Sequence, residues 1–217
     1  MRKTWIVRLD IMVLPAAFLL ACSINPFFPP SGEPLKGDIG RTTPAGTIAQ
    51  LFRAYETRQI NLFMDLFSAT KDFRFYVSPS FAADYAKSHG SVNIETIDPA
   101  FQYVRGRGIT QAYYWTYDEE IQIHNNLFTQ AVDIGFSIYP QPIDTNTITY
   151  LRGPPDSTYY TEVVVRGGEM VIRVSTGDMT AIDYKVDIGE QVFYLEKDPQ
   201  NPSLWVIAKW FDLGTAQ

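Results

Sequence analysis

The chain has 217 residues, 46% of them hydrophobic, 19% charged and 14% aromatic, the profile of one globular domain with some appended sequence. A domain of this size buries roughly 70% of the surface its unfolded chain exposes, so its core needs neither disulfides nor structural metal. A single cysteine excludes an internal disulfide, and 18 Lys plus Arg against 24 Asp plus Glu, net charge −6, lacks the electrostatic footprint of a nucleic-acid binder.

The N-terminus opens with Met1-Arg2-Lys3 and Arg8 and continues into an apolar stretch from Ile11 to Ala21. A positive start before a short apolar run is the layout of a secretory signal. As a helix that run spans only about 16 Å, short of the ~30 Å a bilayer core requires. It ends in Leu19-Leu20-Ala21-Cys22, which resembles the lipobox of bacterial lipoproteins, with Leu20 bulkier than the pattern's usual residue. The resemblance implies cleavage between Ala21 and Cys22 and lipid attachment at Cys22, the sole cysteine. Asp10 and Pro15 are imperfect residues for a signal. Cleavage removes Arg2, Lys3 and Arg8 against Asp10 alone, so the exported domain is more acidic than the whole chain. Ser23 after the cysteine implies, in a two-membrane bacterium, an outer-membrane lipoprotein facing the periplasm.

Residues 22–43 form a tether. Prolines at 26, 29, 30 and 34 and glycines at 32, 37 and 40 prevent any regular element from persisting. The domain is expected over residues 44–213, with a tail at 214–217. Thr43-Pro44 supplies an N-cap and a first-turn proline, and Ile48, Leu51, Phe52 and Tyr55 make one helical stripe. A second helix carries Ile60, Phe63, Leu66 and Phe67. Phe73-Arg74-Phe75-Tyr76-Val77 alternates as a strand, with Tyr76 opposite its apolar face. Ser78-Pro79 can start a short helix ending at Gly90, and Arg105-Gly-Arg-Gly108 reads as a loop. Thr116 and Glu119 form a capping box for a third helix, whose apolar face is Tyr117, Ile121, His124, Leu127 and Phe128.

Thereafter the period is two. Val132, Ile134, Phe136 and Ile138 alternate with polar residues, and strands are expected over 159–166, 169–175, 179–187, 190–196 and 204–212. Turn signals such as Gly167-Gly168 and Ile188-Gly189 separate them. In the last strand strict alternation places Trp205 and Ile207 on one face and Val206, Ala208 and Trp210 on the other, and two apolar faces suggest a homodimer. Helices followed by an antiparallel meander give an α+β fold, N-terminal helices packed on one face of a strongly curved sheet.

The segments AGTIAQLFRAYETRQINLFMDLF, DFRFYV and LWVIAKWFD, with a helix after Trp115, resemble the cone-shaped nuclear transport factor 2 superfamily. That superfamily includes polyketide-cyclase-like and ketosteroid-isomerase-like proteins. The similarity rests on element order and aromatic positions over about residues 44–213. Three capped helices argue against a lipocalin-like barrel.

The residues point to no cofactor and no metal: His89 and His124 lack ligand spacing, and Asp144-Thr-Asn146 reads as a solvated loop rather than a calcium loop. Nucleophile and phosphate-cradling motifs are missing. The acid–base candidates are His124, Asp133 and Tyr55, and the candidate cavity walls are Phe75, Trp115, Phe136 and Trp210. Expected partners are a membrane, through lipidated Cys22, and a small apolar ligand or an envelope protein. The expected function is a membrane-anchored envelope module that binds a ligand or partner. The alternative is a small acid–base enzyme of isomerase, cyclase or dehydratase type acting on an apolar substrate.

Overall fold

The structure is a computed structural model and describes residues 40–68, 73–77, 82, 93–138, 140–151, 157–176 and 180–214. The signal segment, the cleavage position at Ala21 and Cys22, most of the tether, the helix expected from Ser78 to Gly90 except Ala82, and residues 215–217 lie outside the described residues.

Helix α1 (Pro44–Thr57) starts where a capping threonine precedes proline: the Thr43 hydroxyl oxygen accepts the Gly46 N–H at 3.0 Å. Its buried side holds Ile48, Leu51, Phe52 and Tyr55. Helix α2 (Ile60–Met64) is a short turn that delivers Phe63 to the interior. Strand β1 (Arg74–Val77), strand β2 (Asn93–Thr96), helix α3 (Gln102–Gly106) and strand β3 (Gln111–Thr116) follow. The Arg105–Gly108 segment is thus the end of a helix and its turn rather than an irregular loop.

Helix α4 (Tyr117–Gln130) begins with the Glu119 carboxylate accepting both the N–H (2.7 Å) and the hydroxyl (2.8 Å) of Thr116. Its buried residues are Glu120, Ile123, His124, Leu127 and Phe128. The helix is rotated from the expected face, with Tyr117 and Ile121 only partly buried. Glu120 therefore goes inside.

Strands β4 (Ala131–Ile138), β5 (Gln141–Leu151), β6 (Ser157–Arg166), β7 (Glu169–Ser175), β8 (Ala181–Asp187), β9 (Glu190–Lys197) and β10 (Trp205–Gly214) complete the chain. Asp144-Thr-Asn146 belongs to β5 and pairs with β6, so it is not a loop. The strands make a seven-stranded sheet, β2-β3-β1-β10-β9-β6-β5, and a three-stranded sheet, β4-β7-β8. The large sheet is mixed rather than antiparallel throughout, because β1 runs parallel to β10. The first and last strands meet through a long connection, which leaves their relative direction free. The fold is α+β.

Helices α1, α2 and α4 cover one face of the large sheet, and the small sheet closes the same core through Ile134, Phe136, Met170 and Ile172. A second apolar layer occupies the opposite face, where Tyr76, Phe101, Val104, Tyr160, Tyr194 and Phe211 pack under α3. The face of β1 that carries Tyr76, expected to lie opposite the apolar one, is therefore buried too. Tyr76 is as buried as Phe75, and its ring stacks on Phe211 at 3.9 Å and 7°.

Three bulges decide which residues face inward. An extra residue, Ala208, sits between the Ile207–Leu195 and Lys209–Tyr194 pairs. It brings Trp210 onto the same face as Trp205 and Ile207, while Ala208 and Phe211 belong to the other apolar layer, so strict alternation breaks there and both faces stay apolar. In β4 the extra residues are Val132 and Ser137. They turn Val132 and Ile138 outward, 49% and 57% exposed, while Ala131, Ile134 and Phe136 are buried. At the expected turn Gly167-Gly168, Gly168 has φ +128°, and a Cβ there would stand 2.8 Å from Ile188 Cδ1. Only glycine fits that turn unstrained. Among the described residues no helix is long and apolar enough to cross a membrane, and no group of His, Cys, Asp or Glu is arranged to hold a metal ion.

Candidate functional site

Three elements bring Trp115 (end of β3), Glu120 and His124 (successive turns of α4) and Tyr55 (last turn of α1) into one buried polar chain. The Tyr55 hydroxyl is bonded to His124 Nε2. His124 Nδ1 lies 3.0 Å from the Glu120 carbonyl oxygen. A carbonyl only accepts, so Nδ1 carries the ring proton, Nε2 accepts, and Tyr55 donates. The Trp115 indole N–H donates to Glu120 Oε2, and Glu120 Oε1 stands 3.3 Å from His124 Nδ1.

The surroundings are aromatic. The His124 ring stacks on Phe63 at 4.2 Å and 25°, and Tyr55 and Phe128 present edges to it at 5.2 and 5.9 Å. Burial pushes the Glu120 carboxyl up to about 8, against the opposing effect of the Trp115 hydrogen bond. Burial likewise pushes His124 down to about 3, against the effect of the Glu120 carbonyl. At neutral pH both are uncharged, and their 3.3 Å approach is a contact of neutral groups rather than an ion pair. Oε1 of Glu120 has no hydrogen-bond partner among the described residues. Chemically the chain is a phenol, a neutral imidazole and a protonated carboxyl in sequence, all removed from solvent.

Two of the three acid–base candidates, Tyr55 and His124, are thus joined. Asp133 is not with them: it is exposed on β4, opposite Arg173 of β7. The bulge at Val132 fixes which neighbours of that residue point inward. Glu120 escaped the sequence reading, although its position four residues before His124 puts both on one helical face.

The four aromatic wall candidates interlock within the main core. Phe75 and Trp115 stack at 4.9 Å and 7°, Trp210 meets Phe75 edge-on at 4.7 Å, and Phe136 meets Phe52 edge-on at 5.6 Å.

An open cleft of about 270 Å³ lies elsewhere, at the end of the large sheet where β1 and β10 finish. None of the four wall candidates lines it. Its apolar walls come from Tyr76, Val77, Ile109, Ala112, Phe211 and Leu213, and the turn after α3 contributes Gly108 to the lining. The Tyr76 hydroxyl donates to Glu95, and burial raises that phenol far above its usual range. Asp212, also in the lining, is tied back into the protein. Its Oδ1 accepts the Gln191 amide N–H at 2.9 Å and the Gly214 N–H at 2.8 Å, while Gln191 Oε1 accepts the Trp210 indole N–H at 2.5 Å.

No family model matches the chain, and no curated protein matches it. Among solved structures it is similar to a dehydratase candidate of the NTF2-like family from Streptomyces avermitilis, with 11% identity, 76% of this chain and 88% of that chain covered, and a TM-score of 0.35. An overlap of that extent says nothing of chemistry, which the residues of this chain must carry.

Proposed function

We propose that this protein is a lipid-anchored envelope lipoprotein whose α+β domain, of the cone-shaped nuclear transport factor 2-like type, binds a small ligand without transforming it. The observation that carries this reading is the aromatic packing around the Tyr55–His124 pair. With Tyr55 at 0% and His124 at 5% exposure, stacked rings occupy the space a substrate would need beside the imidazole. The pair then acts as a hydrogen-bonded strut between α1 and α4, and the cleft at the sheet end receives the ligand. Anchoring rests on the signal layout and the lone cysteine, and the tether gives the domain reach from the membrane.

A specific observation favours the second reading, an acid–base enzyme: a phenol, an imidazole and a carboxyl raised to about 8 meet in one chain. The two readings separate in one experiment. The purified full chain is incubated with a small-molecule extract of cell envelopes, and the extract and the bound fraction are compared by mass spectrometry. A compound retained unchanged by both the native chain and Tyr55→Phe supports the binding module. A compound converted by the native chain and spared by Tyr55→Phe overturns it. Anchoring has its own test. Cys22→Ala is expected to leave the membrane pellet and to remain unprocessed; a variant still processed and still sedimenting with membranes overturns the lipid anchor.

A further inference from the structure

We propose that the cleft at the end of β1 and β10 takes a single-chain carboxylate, its apolar chain against Tyr76, Ala112, Phe211 and Leu213 and its head group on Arg107 and Arg166. The inference deepens the binding-module reading and rests on it. A volume of about 270 Å³ falls at the small end of ligand sites, which run from roughly 300 to 1,000 Å³. It suits one short apolar chain rather than a two-chain lipid.

The head-group site is built from the Arg105-Gly-Arg-Gly108 motif and the ends of two strands. Arg107 immediately precedes Gly108, a lining residue of the cleft. Arg166 pairs with Glu190 in the β6–β9 ladder, and Glu190 pairs with Gly214, next to the lining residue Leu213. Glu190 Oε2 accepts Arg107 Nη2 at 2.7 Å and Arg166 Nε. The Tyr103 hydroxyl accepts from both guanidiniums, at 3.2 Å from Arg107 Nη2, and both lie near the face of its ring at 5.5 and 6.0 Å.

Two cations thus share one carboxylate, an excess of one positive charge in a chain whose net charge is −6. Each arginine side chain is nearly half exposed. Arg107 Nε and Nη1 and Arg166 Nη1 make no hydrogen bond among the described residues, so donors remain for a planar anion. Tyr103 and Glu190 hold the guanidiniums in place before a ligand arrives, which lowers the ordering cost of binding. The Asp212 carboxylate, part of the lining, disfavours an anion against the apolar walls. The head is therefore directed to the two arginines and the chain to the apolar walls.

The test is isothermal titration of the full chain with decanoate below its micelle concentration, alongside decanol, acetate and decyl phosphate. Decanoate is expected to bind one to one, and each of the other three at least about tenfold more weakly. Arg107→Gln, a change at an exposed side chain, is expected to weaken decanoate about tenfold and leave decanol unchanged. Amide resonances of Gly108, Thr110 and Leu213 should shift on titration, which locates the site whatever the variant does to stability. No heat and no shifts with decanoate, equal affinity for decanol, preference for decyl phosphate, or an unaffected Arg107→Gln overturns the assignment. Such a failure, with the envelope-extract compound still retained unchanged, removes this site and ligand class but leaves the binding-module reading standing.

Discussion

Tyr55 and His124 are 69 positions apart, and the hydroxyl of one donates to Nε2 of the other inside a sleeve of phenylalanines. The bond joins the first and last described helices of the main core. It also fixes the imidazole tautomer from one side while the Glu120 carbonyl fixes it from the other.

Tyr55→Phe removes the donor and leaves Nε2 buried without a partner. A loss of about 1–3 kcal/mol is expected, read as a lower midpoint in urea unfolding with unchanged slope. Replacing both residues, Tyr55→Phe with His124→Phe, should cost less than the sum of the single changes, because neither the phenol nor the imidazole Nε2 is then left stranded by loss of the other. Strict additivity would show that the bond contributes nothing.

The buried pair sets a pH dependence. Glu120 is raised to about 8 in the folded protein from an ordinary 4.5, so its contribution is fully present below about pH 4.5 and is lost as pH rises toward 8. His124 is lowered to about 3 from 6.5, so its contribution is full above about pH 6.5 and is lost as pH falls toward 3. Together they give a stability maximum between about pH 4.5 and 6.5, with flanks no steeper than about 1.4 kcal/mol per pH unit. Thermal melts across pH 3–9 measure this. Glu120→Gln should flatten the flank above pH 6.5 and leave the acid flank in place. A variant whose alkaline flank is as steep as the native one would falsify the assignment to Glu120.

Gly168→Ala meets both a φ of +128° and a Cβ position 2.8 Å from Ile188 Cδ1. The expected loss exceeds about 1 kcal/mol. At Gly167, where φ is +68° and nothing stands within 4 Å of a Cβ, alanine should cost less. Melting temperatures of the two variants give the comparison, and reversed order would mean that the Ile188 contact is relieved without cost.

Gln191→Leu keeps a side chain of similar size but breaks the link between the Trp210 indole and the Asp212 carboxylate. A cost of about 1–3 kcal/mol is expected from the stranded groups. The Asp212→Asn background should reduce that cost, because a neutral amide is cheaper to leave buried than a carboxylate. Denaturant unfolding of the four-member cycle tests it, and an equal cost in both backgrounds sinks the link.

By itself the sequence determined what local chemistry controls. Thr43-Pro44 and the Thr116–Glu119 box place two helix starts, the Ile48–Tyr55 stripe selects the buried side of α1, and Gly167-Gly168 marks a turn. These depend on neighbours within a few positions, so spacing and residue type suffice. Tertiary structure decided the rest. An extra residue in a strand reverses every side chain beyond it, so Ala208, Val132 and Ser137 sent Trp210 inward and Val132 and Ile138 outward against simple alternation. Each bulge depends on its partner strand, β9 or β7, which no local window contains. The rotation of α4 that buries Glu120 likewise followed from what α1, α2 and β3 present to it: the Tyr55 hydroxyl, the Phe63 ring and the Trp115 N–H. The cleft joins the ends of β1, β3 and β10 with the turn after α3, and only the parallel pairing of first and last strands brings those distant segments together.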